Sequence, residues 1–173
     1  MQMLAEGESL TLRGAAQRAG VSHSAPAYHF DGLNGLRTAI ATRAMWMLTE
    51  RLDQSGRSAE QTPYQQLLDM ALAYCDFASR HRYLFYLMFA SPDVDRQDDD
   101  LLRASLAAYA QLARGCAPLV PEGKNGWVLE HTVWALTHGN AVLLLQDECR
   151  NALAPTIAPS LDKQFRVMLQ MNR

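Results

Sequence analysis

The chain has 173 residues, of which 49% are hydrophobic, and its formal net charge is −2 at pH 7. This apolar content is enough for a folded core and argues against intrinsic disorder. The near-neutral charge excludes binding to nucleic acid or membranes through bulk electrostatics, so a DNA contact would need locally arranged groups. No apolar run reaches the roughly 18–20 residues that cross a bilayer, and the N-terminus has no secretory pattern. We therefore predict a cytoplasmic protein without membrane contacts.

The first thirty residues contain the pattern of a helix-turn-helix. Thr11 can cap a short first helix, and Gly20 can end that helix in the left-handed conformation. Val21 is expected to fill the core between the two helices, and Ser22 is expected to cap a second helix, His23–His29. In such a unit the second helix enters the major groove of DNA, where its first residues contact base edges.

The remainder of the chain carries the helical period of apolar residues, and no segment alternates in the manner of a strand. Segment 83–90 is apolar on all sides, which predicts a fully enclosed helix. Residues 151–159 contain two prolines and are interpreted as a connector. The chain is therefore predicted to be all-α. The predicted helices span residues 36–52, 62–81, 83–90, 102–116, 124–146 and 161–169.

The cysteines and the acidic stretch do not indicate a metal site. Cys75, Cys116 and Cys149 are isolated in apolar helical patterns, which is typical of buried, reduced thiols. The acidic stretch at 93–100 lacks the glycine turn and ligand spacing of a divalent-metal loop, and a solvated helix start explains it better. We predict no metal and no cofactor.

The N-terminal pattern resembles the DNA-binding domain of TetR-type transcriptional regulators. The resemblance rests on T-L-R-x-x-A-x-x-A-G-V-S, which begins at Thr11, and on the His29-Phe30 pair that follows. A weaker similarity is the Trp134-Ala-Leu-Thr-His138-Gly139 segment, which resembles the Trp-His-Gly (WHG) class of C-terminal domains in this family. The resemblance implies a helix-turn-helix domain at 1–45, with its first helix truncated to a last turn. It also implies a helical bundle for ligand binding and dimerisation at 46–173.

The resemblance further implies which residues contact DNA. His23, Ser24 and Ala25 stand where base edges are read, whereas Tyr28 and His29 stand where phosphates are bound. The full set of implied DNA-binding residues is Thr11, Arg13, Ser22, His23, Ser24, Ala25, Tyr28 and His29.

An effector cavity within the bundle is implied as well, although its ligand cannot be read from the residues. The same side chains equally suit an ordinary hydrophobic core, and both interpretations stay open. The candidate pocket residues are Met70, Tyr74, Phe85, Met88, Tyr109, Trp134 and His138.

TetR-type proteins usually dimerise through their last two helices, which implies a dimer interface in 124–146 and 161–171. Trp127, His131, Trp134 and His138 share one helical face. The two histidines lie about two turns, roughly 10 Å, apart, which is too far to chelate one ion. This face therefore suits packing against a partner helix or lining of a pocket. The candidate interface residues are Trp127, His131, Val142, Leu145, Phe165 and Met168.

Catalytic motifs are absent from the sequence: it contains no nucleophile elbow, metal-binding His-Glu helix, phosphate loop or dinucleotide fingerprint. We expect a homodimeric, non-enzymatic transcriptional regulator that represses an operator in double-stranded DNA and responds to a small-molecule effector. The alternative is an all-α dimeric ligand-binding or interaction module that has lost specific DNA binding. Leu33, where the family usually has a phosphate-contacting lysine, favours this alternative.

Overall fold

The computed structural model describes residues 10–55, 60–146 and 160–170. The regular structure within these ranges is helical and includes no strand, so the predicted all-α class is confirmed. The predicted remnant of a first helix, the connector at 151–159 and Cys149 lie outside the described residues. A short 3-10 helix, Ala117–Leu119, follows the sixth α-helix. The α-helices are α1 (Leu12–Ala19), α2 (Ala25–His29), α3 (Gly32–Ser55), α4 (Pro63–Arg80), α5 (Arg82–Phe89), α6 (Asp99–Cys116), α7 (Trp127–Leu145) and α8 (Leu161–Gln170).

Helix α1 begins and ends as its sequence predicts. The Thr11 side chain accepts a hydrogen bond of 3.0 Å from the backbone N–H of Gly14. Gly20 has a φ of 68°, and the Gly20 and Val21 N–H groups donate to the carbonyls of Gln17 and Ala16. This paired closure satisfies the last carbonyls of the helix, and it needs the left-handed conformation that glycine adopts without strain.

Helix α4 also starts where the sequence predicts, at Thr62 and Pro63. The Thr62 N–H donates to the Gln65 side chain at 3.0 Å, and the Gln65 N–H donates back to the Thr62 hydroxyl at 3.3 Å. This reciprocal cap fixes the first turn, in which proline has no N–H to lose. One face of α4, including Leu67 and Ala71, is buried. The helix packs along α7.

Helix α5 is less enclosed than predicted. Leu84, Leu87 and Met88 are buried, but Tyr86 is exposed, so the prediction of a fully enclosed helix is wrong. A tyrosine can present its ring edge and hydroxyl to water at modest cost, which the uniformly apolar pattern conceals. The guanidinium of Arg96 donates to the carbonyls of Leu87, Met88 and Ser91, and thereby satisfies the C-terminal end of α5.

Helix α6 begins in the acidic stretch, as expected of a solvated helix start. Asp98 accepts a hydrogen bond from the Leu101 N–H at 2.9 Å, which caps the helix. Its buried face includes Leu101 and Ala104, whereas Leu102 and Leu106 are exposed. Of the apolar residues that mark this helix in the sequence, Leu102 and Leu106 are therefore not on its buried face, whereas Cys116 is.

The chain forms two compact units. One contains Met1–Met47 and His81–Ala107, and the other contains Leu48–Arg80 and Ala108–Arg173. Helices α1, α2 and α5 belong to the first unit, α4, α7 and α8 belong to the second, and α3 and α6 contribute to both. These units differ from the single boundary after residue 45 that the sequence predicts. In the described ranges, none of the helices combines the length and the hydropathy that crossing a bilayer requires.

Candidate nucleic-acid interface and bundle sites

The turn between α1 and α2 is longer than predicted, and α2 is correspondingly shorter. Helix α2 begins at Ala25, and its cap position is Ser24, which makes no side-chain capping hydrogen bond. The Ala25 N–H donates to the Ser22 carbonyl at 3.0 Å, so these residues close a turn that holds His23 before the helix. Pro26 explains the late start, because its fixed φ and missing N–H suit the first turn of a helix. The prediction that Ser22 caps α2 is therefore wrong, and so is the prediction that α2 starts at His23.

Val21 does not fill the core between the helices, because 48% of it is exposed. The buried positions at this end of the chain are Leu10, Ala16 and Pro26. Val21 follows the turn at Gly20 and lies outside the core, whereas Ala16, whose side chain is small enough for close helix packing, is completely buried. The prediction for Val21 is therefore wrong.

The residues predicted to contact DNA all lie in the helix-turn-helix segment from Thr11 to His29 of the first unit, whose exposed face is named the α1–α2 surface. Tyr28 is 87% exposed, and His23, which precedes α2, and His29, which is the last residue of α2, are exposed as well. Ala25 is half-buried. A phenol that is almost completely solvated contributes little to folding, and its ring and hydroxyl are accessible to another molecule. The remaining predicted residues, Thr11, Arg13, Ser22 and Ser24, are also exposed.

Arg37 on α3, the helix that follows α2, already has partners within the subunit. The guanidinium of Arg37 donates to the Asn34 side chain at 3.0 Å and lies 3.2 Å from the Asp93 carboxylate. Leu33, at the position where a lysine was expected by resemblance, is half-buried. Arg13, His23 and His29 are exposed and carry groups that can donate hydrogen bonds to a phosphate, as does the hydroxyl of Tyr28.

The predicted pocket residues separate into two groups. Tyr74 and His138 meet within the second unit, where the Tyr74 Oη lies 2.7 Å from His138 Nδ1. The Trp134 ring centroid lies 6.3 Å from that of His138. The Tyr109 hydroxyl instead donates to the Glu130 carboxylate at an exposed position. Met70 is buried in the second unit, and Phe85 and Met88 are buried in the first.

The Tyr74 and His138 pair has a defined protonation state. Burial raises the pKa of Tyr74 well above its ordinary value, and burial also lowers the pKa of His138. Near pH 7 the phenol therefore keeps its proton and the imidazole is neutral, so one hydrogen bond between two uncharged groups joins Tyr74 Oη and His138 Nδ1. Beside this pair, the Cys75 thiol donates to the Thr137 carbonyl at 3.8 Å, and burial raises the pKa of the thiol to about 11. Cys75 and Cys116 are buried free thiols, as predicted.

Stability is expected to fall in mild acid because of His138. A folded-state pKa below the ordinary value of about 6.5 means that the unfolded chain takes up a proton first as the pH drops. The contribution of His138 is therefore complete above about pH 6.5 and is lost as the pH falls from there through the folded-state pKa. Urea unfolding at about pH 7.5 and about pH 5.5 measures the loss, which His138→Gln should reduce.

His131 on the same helix provides the matched control. Its side chain is exposed and stacks on Trp127, with ring centroids 5.5 Å apart. His131→Gln should leave the difference between the two pH values as in the parent protein. An equal effect of the two substitutions would contradict the assignment of the acid response to His138.

The predicted dimer residues differ in whether a partner could reach them. Trp127 and His131 are exposed, and Val142, Leu145 and Met168 are half-buried. Phe165 is completely buried inside the subunit, so its prediction as an interface residue is wrong. It is buried because α8 packs on α4 and α7 of its own chain.

A groove in the second unit was missed by the sequence interpretation. It has a volume of about 750 Å³ and lies beside the start of α7, the loop before it, and α8. None of the predicted pocket residues lines it. The only sequence signal was the proximity of Lys124 to an apolar helix start, which is too common to be informative. The apolar residues that line the groove are Leu119, Val120, Pro121, Val128, Leu129 and Leu169.

Comparison with known proteins identifies the family. Residues 67–170 match the family model described as "Tetracyclin repressor-like, C-terminal domain", and this segment contains Trp134 and Gly139. A search of curated proteins found no match. A solved structure of a protein of unknown function from Rhodococcus sp. RHA1 is similar, with a TM-score of 0.70 and 26% sequence identity. The similarity covers 94% of this chain and 82% of that one. The chain therefore belongs to the TetR family of regulators, with a tetracycline repressor-like C-terminal domain.

Proposed function

We propose that the protein is a cytoplasmic, homodimeric repressor that binds an operator in double-stranded DNA and releases it when a small-molecule effector binds. The family membership supports a regulator of this type. The observation that carries the proposal is the exposure of Tyr28, together with His23 and His29, on the surface formed by the turn and α2.

The position of His23 changes how this surface would read DNA. Because His23 lies in the turn before α2, it would approach base edges from a backbone that the Ser22–Ala25 hydrogen bond constrains. An imidazole can donate to or accept from guanine and adenine in the major groove. Tyr28 and His29 would bind phosphates and fix the register of α2. In a dimer, two copies would occupy half-sites about 34–36 Å apart.

The effector would act on the second unit. Tyr74 and His138 form a polar pair among buried apolar side chains, and such a pair can be rearranged by a ligand that competes for its hydrogen bond. A dimer whose two DNA-binding surfaces change their separation would lose operator affinity. By linkage, DNA would weaken effector binding by the same factor.

A titration against duplex DNA at two salt concentrations tests the proposal. A duplex enriched by selection from random sequence is compared with a scrambled duplex of the same composition. We expect specific binding at least about 10³-fold tighter than binding to the scrambled duplex. Affinity should fall by a factor of about 10³ or more between about 50 and 200 mM salt if six or more phosphates are contacted.

A module that has lost DNA binding would give a different result in the same titration. It would show no preference for any selected duplex and only a shallow dependence on salt, in agreement with Leu33 and the net charge of −2. That outcome would overturn the proposed function.

A further inference from the structure

The groove beside α7 has the size and the lining of a small-molecule site. Its volume of about 750 Å³ falls within the roughly 300–1,000 Å³ that is typical of such sites. Val128 on α7 and Leu169 on α8 line it, and Leu119 and Val120 contribute from the 3-10 helix and the loop before α7. These side chains offer a molecule an apolar surface that is open to solvent at one side.

One wall of the groove is polar, but its charges are already compensated. The Tyr64 hydroxyl donates to the Asp162 carboxylate at 2.8 Å, and the Arg166 guanidinium donates to the same carboxylate at 3.0 Å. The guanidinium also lies 5.1 Å from the centre of the Tyr64 ring. The hydrogen bond from Arg166 holds the pKa of Asp162 below its ordinary value, so this wall is a neutral ion pair near pH 7.

Lys124 is the uncompensated charge of the groove. Among the described residues, no carboxylate forms an ion pair with its ammonium group. Its backbone N–H donates to the Pro121 carbonyl at 3.0 Å, and the next residue, Asn125, accepts from the Trp127 N–H at 2.9 Å. These bonds close the loop before α7, so the backbone that carries the cation is fixed beside the apolar surface.

We propose that this groove binds an apolar carboxylic acid, whose carboxylate pairs with Lys124 and whose hydrocarbon body lies on Val128, Leu129 and Leu169. A neutral or cationic amphiphile would leave the ammonium unpaired, and a fully polar anion would leave the apolar surface wet. The site is separate from the Tyr74 and His138 pair. It goes beyond the proposed function and does not depend on DNA binding.

Binding of decanoate to the full chain near neutral pH tests the inference, with 1-decanol as the uncharged probe of equal length. Isothermal titration calorimetry should show saturable binding of decanoate at one site per subunit. Lys124→Met keeps an apolar stem but removes the charge, so it should weaken decanoate binding by about 3- to 10-fold and leave decanol binding unchanged.

Two further variants complete the experiment. Lys163→Met is the matched control, because Lys163 is an exposed lysine on α8 that does not line the groove, and it should bind decanoate like the parent. Val128→Asp places a carboxylate on an exposed position of the lining and should abolish decanoate binding without disturbing the fold. Circular dichroism verifies that each variant is folded.

The inference is overturned by any of four results. The site would be excluded if decanoate did not bind saturably. It would also be excluded if a second copy of the chain covered the groove in solution. Equal binding of decanoate and decanol, with no effect of Lys124→Met, would show only nonspecific apolar adsorption. Weakening by Lys163→Met to the same extent as by Lys124→Met would show only general attraction to a positive surface.

Discussion

Replacing Phe165 with alanine should lower the free energy of unfolding by about 3–5 kcal/mol. The ring is completely buried, on a helix that packs on α4 and α7 of the same chain. Its truncation removes the transfer free energy of the aromatic ring and leaves a cavity that the neighbouring helices fill only in part. Urea unfolding followed by far-ultraviolet circular dichroism measures the change, at several protein concentrations because association contributes to apparent stability.

Val167 on the same helix is the control, because 58% of it is exposed. Val167→Ala should change the free energy of unfolding by less than about 0.5 kcal/mol. Sedimentation velocity on both variants separates a core role from an interface role. If Phe165→Ala weakened subunit association while the unfolding free energy of the monomer barely changed, Phe165 would serve the dimer, and its burial within the subunit would be contradicted.

Local chemistry explains which features could be predicted from the sequence. The cap at Thr11, the left-handed end at Gly20 and the start at Thr62 each depend on hydrogen bonds within a few residues, and all three are confirmed. The long helices were predicted from the spacing of apolar residues. This spacing predicts that a segment is helical more reliably than it predicts which face of the helix is buried. Helix α6 illustrates the difference, since its helical state was predicted and its buried face was not.

The errors occurred where tertiary contacts decide the outcome. Val21 and Phe165 are both apolar residues beside a helix face, and only the positions of other helices determine that the first is exposed and the second is buried. The late start of α2 depends on Pro26, whose preference for the first turn outweighs the capping potential of Ser22.

The candidate sites show the same limit. The i, i+4 pair of Asp162 and Arg166 is visible in the sequence, but Tyr64 lies 98 residues away from Asp162. Its hydroxyl completes the polar wall of the groove only because α8 packs beside the first turn of α4. Similarly, the spacing of Trp134 and His138 gave no indication that Tyr74 would be the hydrogen-bond partner. A single sequence contains no signal for such pairs.

Two substitutions in the α1–α2 surface should change DNA binding in different ways. Tyr28→Phe removes only a hydroxyl, so it should weaken binding to all duplexes alike, by roughly 10-fold, through loss of one phosphate hydrogen bond. His23→Ala should instead cost about 1–3 kcal/mol on the preferred duplex and relax discrimination at one base pair. Fluorescence anisotropy with a selected duplex and its single-base variants measures both effects.

Tyr86 provides the control for Tyr28, because it is another exposed tyrosine of the first unit but lies on α5. Tyr86→Phe should leave DNA affinity unchanged. The two main substitutions also test each other: a phosphate contact shifts all affinities by one factor, whereas a base contact shifts them unequally. If Tyr28→Phe altered base preference and His23→Ala did not, the turn that holds His23 would bind the DNA backbone and α2 would read the bases. If neither variant changed binding, DNA would contact a different surface, and the exposure of Tyr28 would require another partner.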